Sequence, residues 1–138
     1  MKKIAAFFLL FFTLVFLVWR AFLIIYLPAQ DLVTLTTDDA FYYMNIASNI
    51  TQGHGATFDG INKTNGFHPL WQIMLIPVYW LIPSDRVLAL RIVLFIQLLV
   101  FTLILFLLLG FVQRKYTSLA AFPVLIIFLF SGFANRFI

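Results

Sequence analysis

The sequence predicts an all-α integral membrane protein with three transmembrane helices and two juxtamembrane helices in its first outside loop. Composition is the first observation behind this. Of 138 residues, 64% are apolar, 19% aromatic and only 10% charged, where soluble domains run about half apolar and about a quarter charged. The second is the spacing of long apolar runs, each near the roughly 20 residues that cross a hydrocarbon core. The third is that the polar groups gather in one place. Four of the five carboxylates, counting Asp31, and both histidines lie between Pro28 and Trp71.

The first run, Ile4 to Leu27, is interrupted by Thr13 and Arg20 alone, and Lys2 and Lys3 precede it. Basic residues favour the cytoplasmic side, so the N-terminus is expected inside and residues 1–27 form the first crossing. A cleaved signal peptide is the competing reading, but its apolar region is usually about 7–15 residues long. Arg20 stands ~24 Å along such a helix, where it is expected to snorkel to the outer interface beside Trp19 and Tyr26.

Residues 28–86 form the expected extracytoplasmic loop. A short extended stretch after Pro28 leads to Thr36-Thr37-Asp38-Asp39, a good helix start because acidic groups suit the positive end of the dipole. From Asp39 to Gln52 the pattern is helical and two-faced. Tyr43, Ile46, Ala47 and Ile50 line one side; Asn45, Ser48, Asn49 and Gln52 line the other. The apolar stripe is expected to rest on lipid or on neighbouring helices at the membrane surface. Gly53 and Gly55 around His54 end the helix, and Asp59-Gly60 and Asn65-Gly66 mark turns on either side of Lys63.

Pro69 to Pro83 is apolar, interrupted by Pro77 and too short to span, so it is expected to re-enter or lie at the interface. Residues 87–112 form the second crossing and 116–138 the third. Pro123 in the last run is expected to cost a helical hydrogen bond and kink it. With these three crossings, Arg114 and Lys115 fall inside with Lys2 and Lys3. The loop from Pro28 to His68 then falls outside with a net charge of −3.

The composition also excludes some chemistry. Cysteine is absent, so there is no disulfide, thiolate nucleophile or zinc–thiolate site. The net charge of +4 is dispersed rather than gathered into a basic patch, and nucleic acid is not an expected partner.

Asp38 and Asp39 have two readings. As structure, they simply cap the helix. As chemistry, adjacent carboxylates repel, which leaves one readier to take a proton while the other positions a hydroxyl or a cation. They also offer oxygen ligands to a divalent cation bridging to phosphate. His54 and His68 are not spaced for a helical metal site, and no metal is assigned. His68 and Lys63 suit an anionic head group. Tyr42, Tyr43 and Trp71 read as an interfacial aromatic belt, though such rings also suit sugars. Arg91, early in the second crossing, reads equally as a snorkelling cation or a phosphate ligand. Asn49-Ile50-Thr51 and Asn62-Lys63-Thr64 match the glycosylation acceptor pattern, but modification is not expected.

The run TDDAFYYMNIASNITQGHGATFDGINKTNGFHPLWQ, residues 37–72, resembles the first outside loop of polytopic GT-C membrane glycosyltransferases. Among these, protein O-mannosyltransferases and lipid A aminoarabinose transferases are the nearest groups. The features in common are an acidic pair opening a surface helix (Asp38-Asp39), a Gly-containing turn (Gly53-His54-Gly55), a Pro-Leu-aromatic start (Pro69-Leu70-Trp71) and an arginine early in the next membrane helix (Arg91). The resemblance implies an enzyme that moves a sugar from a polyprenyl-phosphate donor to an acceptor outside the membrane. Asp38 and Asp39 would be catalytic, and His68, Lys63 and Arg91 would bind the donor phosphate. It leaves open the acceptor and any divalent cation.

His68 departs from the family, some of whose members carry a lysine there; a neutral imidazole binds phosphate more weakly. The family has many more membrane helices than three, so this chain is expected to be an N-terminal piece of a plasma (inner) membrane enzyme, or a truncated gene product. A non-catalytic membrane subunit or transporter fragment, with the loop as a docking surface, is the reading from a different class.

Overall fold

The computed structural model describes residues 2–116 and 120–134. Among them every regular element is a helix and there is no strand; Thr57 and Lys63 pair in an isolated antiparallel bridge. The order is α1 (Lys2–Tyr26), α2 (Ala29–Leu32), a 3-10 turn (Val33–Leu35), α3 (Asp38–Thr51), α4 (Pro69–Leu81), α5 (Arg86–Lys115) and α6 (Ala121–Ala134). Two of these, α1 and α5, are long and apolar enough to cross a membrane. At 1.5 Å per residue, the 30 residues of α5 extend ~45 Å, past the ~30 Å hydrocarbon core.

The chain divides into two compact units, Met1–Pro28 with Phe95–Phe137, and Ala29–Leu94. In the first, Leu9 of α1, Leu105, Leu109 and Val112 of α5, and Ala121 and Leu125 of α6 form a buried apolar cluster. Two hydroxyls in these helices are satisfied locally. The Thr13 hydroxyl donates to the Leu9 carbonyl at 2.8 Å and Thr102 to Leu98 at 2.6 Å, the back-bonding available to a hydroxyl four residues on. Around the rest of α1 stands a ladder of exposed rings. Phe7 stacks on Phe11, Phe8 on Phe12 and Trp19 on Phe22. Arg20 departs from its expected place. Its side chain is only 5% exposed, so it is folded inward rather than carried out beside Trp19 and Tyr26.

The third expected crossing is not established. α6 has 14 residues, ~21 Å of helix, and positions 117–119 and 135–138 of the expected span lie outside the described residues. Pro123 is the third residue of α6. There its missing amide belongs to the first turn, which has no intrahelical acceptor in any case, so the expected broken bond and kink do not arise.

In the second unit, α3 and α4 pack against each other. Three local expectations change here. The stretch after Pro28 is helical rather than extended, with Leu32 fully buried. α4 continues through Pro77, which lies on its exposed side. Ser48, assigned to the polar face of α3, is buried, and its Oγ accepts a 2.9 Å bond from Gln52 Nε2. Burial extends round more than one side of α3. Ala40, Met44, Ala47 and Ser48 form one stripe, while Ile46 lies with Tyr42 and Asn49.

Candidate functional site

Thr37 caps α3 in an extended conformation and makes no side-chain capping bond, so Asp38 and Asp39 open the helix as its first two residues. Both carboxylates are exposed, the only two residues of α3 that are. Among the described residues neither makes a hydrogen bond or an ion pair. Dipole complementarity therefore accounts for their position, while their oxygens stay available to a ligand.

One turn further along α3, each aspartate is followed on the same face by a tyrosine, and each tyrosine leads to a different predicted site residue. Tyr42 follows Asp38. Its hydroxyl is hydrogen-bonded to Thr64 Oγ1 at 2.5 Å, and its ring stacks on Phe58 with centroids 5.1 Å apart. Thr64 is the neighbour of Lys63, whose side chain is exposed. Tyr43 follows Asp39. Its ring lies nearly parallel to that of His68, 6.0 Å away at 10°. Tyr42 and Tyr43 meet edge to face at 6.1 Å. The result is a row of four rings, Phe58, Tyr42, Tyr43 and His68.

The intervening loop is an ordered structure. Asn49 Nδ2 donates to the carbonyls of Thr57 at 2.9 Å and Phe58 at 3.0 Å, folding the loop back on α3. Gly53, Gly55 and Gly60 all take positive φ, 84°, 71° and 81°, a conformation open to glycine and costly for most residues. Asp59 accepts from the amides of Ile61 (2.9 Å) and Asn62 (2.7 Å) and from the Asn62 side chain. The backbone amide of Asn62 above all, then that of Ile61, lowers the Asp59 carboxyl to about 2. Asp59 is thus consumed by its own turn.

Gln72 joins the two helices. It is 2% exposed and donates from Nε2 to the Tyr43 carbonyl at 3.3 Å, and its Oε1 has no partner. Its backbone amide bonds to the His68 carbonyl, so the residue that stacks on Tyr43 and the residue that holds Tyr43's backbone share one turn of α4. Sequence reading missed Gln72, Thr64 and Asn49. A polar residue inside the apolar run of Pro69 to Pro83 was the available signal for Gln72; nothing comparable marked the other two.

Of the expected site residues of the loop, the structure therefore brings only His68 into contact with α3, through Tyr43; Asp38 and Asp39 share a helix with the two tyrosines, and Lys63 is the chain neighbour of Thr64. Arg91 is half-buried in the second turn of α5 and has interactions of its own; it is not part of the ring row. Among the described residues no three of His, Asp or Glu come together to hold a metal ion, so the acidic pair offers two adjacent carboxylates and no more. Compared with protein-family models, curated proteins and solved structures, the chain matches none.

Proposed function

We propose that this chain is the N-terminal module of a GT-C-type glycosyltransferase of the plasma (inner) membrane, with a cytoplasmic N-terminus, three crossings and the site in the first outside loop. The full-length enzyme transfers a sugar from a polyprenyl-phosphate donor to an acceptor on the extracytoplasmic face. The observation that carries the reading is the exposed, unbonded pair Asp38–Asp39 opening α3, one turn before Tyr42 and Tyr43, of which Tyr43 stacks on His68.

In this reading Asp38 takes the proton from the acceptor hydroxyl or amine as that atom attacks the anomeric carbon. The bond from that carbon to the phosphate oxygen breaks, and the prenyl phosphate leaves with the electron pair. Lys63, His68 and Arg91 balance the charge that develops on it. Asp39 orients the acceptor.

The test is Asp38→Asn in the full-length protein with a prenyl-phosphate sugar. Losing a general base typically costs about a hundredfold or more in rate, so turnover should fall by at least that much with membrane insertion unchanged. Retained turnover removes Asp38 from the role. A full-length protein that inserts but transfers nothing, with Asp38 present, would favour a docking subunit instead.

A further inference from the structure

The two sides of α4 are both apolar, but only one is covered. Leu75, Val78 and Tyr79 are buried along with Gln72. Leu70 (75% exposed), Ile73 (64%), Met74, Pro77, Trp80 (71%) and Leu81 (70%) form an uncovered stripe. At 3.6 residues per turn these six fall within about a third of the helix circumference, and none of them is polar. A contiguous apolar surface of this kind calls for a partner. α3, whose apolar stripe is expected from sequence on lipid or on neighbouring helices, packs on a helix and offers no such surface: its apolar residues are already buried or half-buried and only its acidic pair is exposed.

We propose that the uncovered face of α4 is a bilayer-contact surface, seated in the outer interfacial layer, with α3 carried on its other side away from the acyl chains. Three features select lipid as the occupant. The stripe contains no Gly, Ala, Ser or Thr, the small residues that let helices approach closely within membranes. It carries Trp80 near its end, a side chain that favours the interface. Residues 82–85 then connect α4 directly to α5, one of the two helices long enough to cross. An interfacial amphipathic helix normally presents charged residues opposite its apolar face; here α3 takes the place of that polar face.

The consequence concerns the site. Packed helices are separated by about 8–10 Å, so Asp38 and Asp39 stand roughly one helix above the plane of α4. They address a group at head-group height rather than one within the hydrocarbon.

The inference rests on the membrane reading, and the experiment separates the two. The full-length chain is placed in phosphatidylcholine vesicles with brominated acyl chains, in three single-tryptophan forms. Trp80 alone (Trp19→Phe, Trp71→Phe) should be blue-shifted and lose most of its emission to bromine. A tryptophan at the end of α3 (Gln52→Trp, with Trp19, Trp71 and Trp80 changed to Phe) should keep its emission and be quenched by aqueous iodide. Trp19 alone reports on α1. If Trp19 is quenched by bromine and Trp80 is not, the α4 inference is overturned while membrane insertion stands. If neither is quenched, the membrane reading fails as well. Protection of Trp80 from both quenchers, with crosslinking at Ile73 between chains, would assign the face to a second copy and overturn the proposal.

Discussion

Asp59 and Asp38 show how two exposed carboxylates of one loop come to differ. Asp59 is held by amides that favour its ionised form, and its carboxyl is lowered from an ordinary 3.8 to about 2. Because the folded value lies below the unfolded one, its contribution to the turn is complete above pH 3.8 and is lost as pH falls through 2. The Asp59 carboxyl carbon should therefore titrate in NMR with a midpoint near 2, and Asn62→Ala should raise that midpoint part of the way. A midpoint already at 3.8 would show the turn unformed. The exposed Asp38 carboxylate accepts no such bonds, and its oxygens remain open. At Tyr79 burial acts in the opposite direction, pushing the phenol up to about 12 and keeping it neutral, with Arg86 opposing the shift.

At the scale of elements, the loop after α3 depends on two devices. Asn49 satisfies two loop carbonyls with one amide group. Asn49→Ala should cost about 1–2 kcal/mol, read as faster hydrogen exchange from residue 57 to residue 64 with α3 itself still protected. Gly53 supplies a left-handed residue with open space around its α-carbon, so Gly53→Ala should cost about 1 kcal/mol through backbone conformation alone. Unchanged thermal stability would indicate that the helix end rearranges without strain. Both elements, α3 and its Gly-rich exit, were legible in the sequence because their signals are local: periodicity, then glycine. The fold-back was not, since Asn49 reads equally well as a surface residue until its partners at 57 and 58 are placed.

For the whole molecule, charge asymmetry makes the topology testable. Lys2, Lys3, Arg114 and Lys115 are expected on the cytoplasmic side and the acidic loop outside. With cysteine naturally absent, Gly66→Cys should be labelled from outside and Gln113→Cys only from inside. Labelling of Gln113→Cys from outside would mean that α4 crosses, against its 13 residues and ~20 Å of helix. The Arg20 expectation failed at this scale, because hydropathy along one helix says nothing about which of its sides another part of the chain covers.

The sequence by itself determined that the protein is helical, where α1, α3, α4 and α5 begin and end to within a few residues, and that four of its five carboxylates and both histidines collect in one loop. These follow from composition and periodicity, which act over short separations along the chain. Only the tertiary structure decided that α3 is shielded by α4, that Ser48, Arg20 and Gln72 are buried, and that Thr64 and His68 meet Tyr42 and Tyr43. Those outcomes depend on contacts between residues 20 or more positions apart, such as Tyr42 with Thr64 and Gln72 with Tyr43. Side-chain packing selects among such contacts, and no local pattern encodes them.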